Sequence, residues 1–142
     1  MYNQLTRKTM KATLTIAAFA LCFSQLAVAG PTTWKDGVMR DSSGRTVYVF
    51  SKDEAGVSHC SGDCTKMWPP FLAKDGAQAA EEMTLVVREG GKQWAMKGQP
   101  LYHFAGDTVV GEAKGDGMGG TWRVVRSNPA SAKTSPPSSY SY

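Results

Sequence analysis

One stretch of this chain occurs twice. Gly44-Arg45-Thr46-Val47-Tyr48-Val49-Phe50-Ser51-Lys52-Asp53 aligns without a gap with Gly98-Gln99-Pro100-Leu101-Tyr102-His103-Phe104-Ala105-Gly106-Asp107. Gly, Tyr, Phe and Asp coincide, and at the same spacing of 54 residues Trp68 falls on Trp122. Coincidence of five such restrictive residues at one spacing identifies an internal repeat. Each unit is too short to bury a core alone, so the two are expected to pack as one pseudo-symmetric domain.

The repeated pattern has the period of a strand. Side chains alternate along an extended chain, so Tyr48 and Phe50 share one face, with Val47 and Val49 on the other. In the second unit Tyr102 and Phe104 share a face, opposite Leu101 and His103. Asp53 and Asp107 each follow the Phe by three residues, where the strand should end and a carboxylate can accept turn N–H bonds. Further strands are expected at Val38–Arg40, Leu85–Arg88, Gln93–Met96 and Thr121–Val125. Glu89-Gly90-Gly91-Lys92 reads as a hairpin turn, and Ala77 to Glu82 as one short helical turn. Pro69-Pro70 belongs at an edge or in a loop. Beyond the leader described next there is no Ile, and the only Leu residues are Leu72, Leu85 and Leu101. Val and aromatic residues must therefore fill the core, and both favour strands. The expected fold is a small, mainly antiparallel β domain of two pseudo-symmetric repeats with one short helical turn.

Residues 1–29 read as a secretory signal peptide. Arg7, Lys8 and Lys11 precede an apolar run from Ala12 to Leu26, and Ala27-Val28-Ala29 supplies the small residues of a cleavage site. Cys22 follows Leu21 rather than a small residue, so acylation there is not expected. The leader carries three of the 16 basic residues and none of the 12 acidic ones, which leaves 13 against 12. The formal charge of +4 is thus mostly a property of the leader, and a nucleic-acid partner is not expected. No later segment is apolar enough to anchor the chain in a bilayer after cleavage. Residues 30–126 form the two-repeat domain, with units of about 38–70 and 92–126; 127–142, rich in Ser and Pro, reads as a disordered tail.

The two Y-x-F-x-x-D motifs, Cys60-Ser61-Gly62-Asp63-Cys64-Thr65-Lys66-Met67-Trp68-Pro69-Pro70 and Gly115-Asp116-Gly117-Met118-Gly119-Gly120-Thr121-Trp122-Arg123-Val124-Val125 together resemble a bacterial secreted-repeat family, the lipoproteins with a conserved Yx(FWY)xxD motif. The resemblance spans about Val38 to Arg126. It implies a fold and an exported location, with no established activity attached. This chain departs from many members in lacking an acylation Cys at the cleavage site.

Candidate sites are few. Cys60 and Cys64, in an exported chain, are expected to form a disulfide. Their C-x-x-x-C spacing and the adjacent Asp63 disfavour a reactive thiolate. His59 and Met67, with His103 from the other unit, are the candidate soft metal ligands beside that pair. Lys114 to Gly120 lacks the spaced carboxylates of a calcium loop and the ending of a phosphate loop, and reads as a glycine-rich turn. Tyr48, Phe50, Asp53, Trp68, Tyr102, Phe104, Asp107 and Trp122 are read as structural, because they recur at equivalent places. Trp34 and Trp94 are the candidates for exposed ligand contacts, such as to a glycan. No catalytic residue and no cofactor is assigned. The reading is an exported, periplasmic or secreted protein, a non-catalytic binding or structural module of the cell envelope. Its alternative is a periplasmic redox or copper-handling protein using Cys60/Cys64 with His59 or Met67.

Overall fold

A computed structural model describes residues 30–128. The expected signal peptide, and all of the expected tail except Ser127 and Asn128, lie outside the described residues.

The described chain is mainly β, with seven short antiparallel strands in small sheets. Strands β1 (Thr32–Lys35) and β2 (Val38–Asp41) form a hairpin. Its turn, Asp36-Gly37, has φ of 52° and 73°. Two consecutive positive φ values are what a two-residue hairpin turn of matching twist requires, and Asp followed by Gly tolerates them best. Strand β3 (Tyr48–Phe50) follows. Strands β4 (Met83–Arg88) and β5 (Gly91–Met96) form the second hairpin, reversing at Glu89-Gly90, and β6 (Gln99–Pro100) extends that sheet. Strand β7 (Trp122–Val124) pairs with β3 across the repeat boundary.

That last pairing defines the architecture. Phe50 lies opposite Trp122 and Tyr48 opposite Val124, so the Tyr-x-Phe strand of the first unit pairs with the Trp strand of the second. The converse pairing also exists, with Tyr102 bridged to Pro70. The backbone bonds repeat in mirrored pairs. Ser51 N–H donates to Thr121 O at 2.9 Å, and Ala105 N–H to Met67 O at 2.9 Å. Val125 N–H donates to Val47 O at 3.1 Å, and Phe71 N–H to Leu101 O at 2.9 Å. Tyr48 and Tyr102 exchange N–H···O bonds with each other at 2.8 and 2.9 Å, which puts a local two-fold axis between them. The units are thus interlocked rather than merely adjacent.

The symmetry is incomplete for a chemical reason. Tyr102-His103-Phe104 was expected to be a strand like Tyr48–Phe50, yet it makes only isolated bridges. Its partner segment is Pro69-Pro70, which stands where the other unit has Arg123-Val124. Neither proline has an N–H to donate, so a regular ladder cannot form. His103 N–H still donates to Pro69 O at 2.9 Å.

The expected helical turn is also displaced. Ala77 to Glu82 is not helical; Ala80 and Met83 exchange backbone bonds around a tight turn in which Glu81 has φ of 55°. Six residues do not offset the cost of helix nucleation, and here Glu82 O accepts from Lys97 N–H at 2.7 Å instead. Among the described residues the one α-helical turn, α1, is Cys64–Met67, and a 3₁₀ turn at Met118–Gly120 occupies the equivalent place in the second unit.

The alternation of the repeated strand feeds two cores. Tyr48, Tyr102, Phe104, Trp68 and Trp122 are buried in one, with Phe50 packed against it. Val47, Leu101, Met39, Trp94 and Val125 fill the other, with Val49 against it. In the first core four rings stack in series. Phe50 lies on Trp122 (centroids 4.3 Å), Trp122 on Trp68 (3.8 Å, 4° between planes) and Trp68 on Phe104 (4.6 Å). Tyr48 meets the Trp68 ring edge-on at 5.3 Å, as Tyr102 meets Trp122 at 5.1 Å.

The stack leaves no room at Gly115. A Cβ there would sit 2.6 Å from the Trp68 ring and 3.0 Å from Phe104. Gly115→Ala is expected to lower stability by about 1–3 kcal/mol through overpacking. Thermal unfolding reads this as a loss of roughly 4–8 °C per kcal/mol. An unchanged midpoint would show that the stack yields.

Candidate functional site

The two Y-x-F-x-x-D motifs converge through their polar groups. Tyr48 donates its hydroxyl to Asp107 Oδ2 at 2.6 Å, and Tyr102 donates to Asp53 Oδ2 at 2.6 Å. Each phenol is therefore bonded to the carboxylate of the opposite unit. The second oxygen of each Asp caps its own following loop: Asp53 Oδ1 accepts His59 N–H at 2.7 Å, and Asp107 Oδ1 accepts Lys114 N–H at 2.9 Å. Tyr48 Oη also accepts Gly115 N–H at 3.3 Å, and Tyr102 Oη lies 2.7 Å from Ser58 Oγ.

Burial raises the pKa of both phenols strongly, and donation to a carboxylate raises each further. Burial also lifts the Asp53 carboxyl, while the Tyr102 hydroxyl and His59 N–H pull it back down. Each phenol is thus held as a hydrogen-bond donor within the core.

Cys60 and Cys64 are joined in a disulfide, with Cα atoms 5.3 Å apart. Cys60 is fully buried in the aromatic core. Arg88 ties this loop to the second hairpin. Its guanidinium donates to Cys60 O at 3.1 Å and to Gln93 Oε1 at 2.8 Å, while Gln93 Nε2 donates to Leu101 O at 2.7 Å. This buried polar link was not read from the sequence. Its one signal was the alternation of β4, which puts Arg88 on the same side as the buried Val86. Closing so short a loop constrains the unfolded chain by about 2 kcal/mol. Cys60→Ala/Cys64→Ala is expected to lower the thermal midpoint by roughly 8–16 °C while leaving the fold intact. Loss of all native near-UV circular dichroism would mean that the bridge is required for folding.

The candidate soft-metal set is not brought together. The two sulfurs are bonded to each other. His59 is exposed and lies 3.4 Å from Glu54, and Met67 is 51% exposed. His103 is buried elsewhere, with Nδ1 3.0 Å from Thr46 O and Nε2 3.4 Å from Asp41, and burial pushes its pKa down. Among the described residues no group of three His, Cys, Asp or Glu is placed to hold a metal. In the glycine-rich turn, Asp116 accepts from Val124 N–H at 3.0 Å and from Arg126 at 2.6 Å.

The tryptophans divide. Trp34 is 47% exposed, whereas Trp94 is 7% exposed and belongs to the second core. Trp94 is therefore not the open contact residue expected from sequence. Strand β5 is flanked by β4 and β6, and its Gln93-Trp94-Ala95 segment is buried on both faces. Trp34 and the edge of Trp94 nevertheless line one groove of about 420 Å³ between the two hairpins. Among the described residues no helix is long and apolar enough to cross a membrane.

An all-β module of two interlocked repeats, each motif spent on gripping the other, is the class of protein these observations define. The family described as a secreted repeat of unknown function matches the chain twice, at residues 31–71 and 83–126, and the chain belongs to that family. Each match takes in one hairpin and one Tyr-x-Phe motif. No curated protein and no solved structure matches the chain.

Proposed function

We propose that this protein is a non-catalytic binding or structural module of the cell envelope, working in the periplasm or outside the cell after removal of residues 1–29. The observation that supports this is the crossed Tyr–Asp pair. The groups that might have done acid–base chemistry, Asp53, Asp107, Tyr48 and Tyr102, are consumed in holding the units together. The groove with Trp34 at its rim is one surface open to a partner, and the partner is an envelope component such as a glycan rather than a nucleic acid. No resident cofactor is assigned.

The test is fractionation of cells expressing the full chain, with N-terminal sequencing and an activity screen of the product. The protein is expected outside the cytoplasm, beginning at Gly30, without turnover of ester, phosphoester, peptide or glycosidic substrates. Reproducible turnover, abolished by one side-chain change that leaves the thermal midpoint unmoved, would overturn the reading.

A further inference from the structure

The groove between the hairpins has an unusual lining. Of the five methionines in residues 30–128, three line it, Met39, Met83 and Met96, together with Trp34 and Trp94. Strand register explains the convergence. Met39 lies directly opposite Trp34 in the first hairpin, and Met83 directly opposite Met96 in the second. Directly opposed residues share a face, with Cβ atoms about 4.5–5.5 Å apart. Trp94 lies two residues from Met96 on β5 and so takes the same face. Met39 and Trp94 belong to one buried cluster, with Met83 and Met96 packed against it. Gln78, Glu81 and Glu82 also line the groove, and Glu82 is paired with Lys97 at 2.9 Å.

Thioethers are soft ligands that carry no charge and no proton. Three of them beside two indoles favour a soft cation of low charge, whereas the groove's oxygen donors, Gln78, Glu81 and Glu82, are what a hard cation would need. An indole face adds attraction for a cation above it. We propose that this groove binds a soft monovalent metal ion of the Cu(I) class through Met39, Met83 and Met96, with Trp34 and Trp94 shielding it from water. The proposal rests on the binding-module reading and adds to it a metal ligand besides the envelope partner. It shares no donor with the Cys60/Cys64 loop.

Silver(I) is the appropriate probe, because it needs no reductant and so leaves the disulfide closed. The exported protein is titrated with Ag(I) while tryptophan fluorescence is followed, and bound silver is counted after gel filtration. One ion per chain and quenching that saturates at that ratio are expected, with no response to Zn(II) or Ca(II). Met39→Leu/Met83→Leu/Met96→Leu should weaken binding roughly 100-fold, a scale reached when a metal's ligand environment is altered. Leu is close to Met in volume, and a thermal scan confirms that the variant folds. Met67→Leu/Met118→Leu, at two exposed positions, should bind as the parent does. The proposal is overturned by absence of retained silver, by equal retention in the triple variant, or by loss of binding in the Met67/Met118 variant. Any of these leaves the module reading standing, since that reading falls only to catalytic turnover.

Discussion

Trp122→Ala is expected to leave the domain unfolded at 25 °C, with loss of near-UV circular dichroism and of a cooperative melt. Trp122 is buried, stacked between Phe50 and Trp68, and capped edge-on by Tyr102. Truncating a buried Trp typically costs about 3–5 kcal/mol, to which lost ring–ring contacts add. A small domain has only about 5–15 kcal/mol in total and tends to the lower end of that range. The stack also spans both units, so its loss removes the principal packing between them. Trp68→Ala should behave alike, because its neighbours are Trp122, Phe104 and Tyr48. Trp122→Phe keeps a ring in the stack and should fold with reduced stability. A Trp122→Ala protein that melts cooperatively near the parent midpoint would show that the two repeats are held together by something other than this core.

The second large effect is expected in alkali. Tyr48 and Tyr102 are fully buried donors whose pKa values stand far above the ordinary value of 10.0. In the unfolded chain these phenols lose their protons near pH 10, while in the folded chain they keep them. The folded state then binds more protons, so stability falls as pH rises. The contribution is complete below pH 10 and is lost progressively above it. Each phenol removes up to about 1.4 kcal/mol per pH unit until its folded pKa is reached. Denaturant titrations at pH 8, 10 and 11 should therefore show a steep loss, and the share of tyrosinate absorbance that Tyr48→Phe/Tyr102→Phe removes should rise only as the protein unfolds. Tyr48→Phe/Tyr102→Phe should start less stable and decline less steeply over the same interval. The exposed pairs Lys66–Asp63 and Lys97–Glu82 lie at the surface, where such pairs contribute little to stability. Tyrosinate absorbance at pH 10 in the folded protein that Tyr48→Phe/Tyr102→Phe removes, beyond what Tyr140 and Tyr142 give, would refute the buried, carboxylate-bound arrangement.

Much of the fold was legible because its signals are local. Alternation put Tyr48 and Phe50 on one face and Val47 and Val49 on the other, and the structure packs each face into its own cluster. Glu89-Gly90-Gly91-Lys92 marked a hairpin through its turn chemistry, although Gly91 and Lys92 already belong to β5. The missed features each depend on a distant partner. Tyr102–Phe104 carries a strand pattern, but its pairing is limited by Pro69-Pro70, more than thirty residues earlier. Trp94 resembles any strand Trp until β4 and β6 enclose its strand. Ala77–Glu82 has helix-forming residues, but its backbone is taken by Met83 and Lys97. The methionine groove had no sequence signal, because Met39 lies more than forty residues from Met83.

By itself, then, the sequence determined the two-unit plan, the faces of the repeated strand, the reversal between β4 and β5 and the residues of the aromatic core. These follow from side-chain alternation and turn stereochemistry, which act over a few residues. Only the tertiary structure decided that each motif grips the other unit, Tyr48 to Asp107 and Tyr102 to Asp53, rather than its own. The two alternatives use identical residues and identical bonds. The choice between them is made by the β3–β7 pairing and the Trp68–Trp122 stack, which bring the two motifs face to face across a two-fold axis.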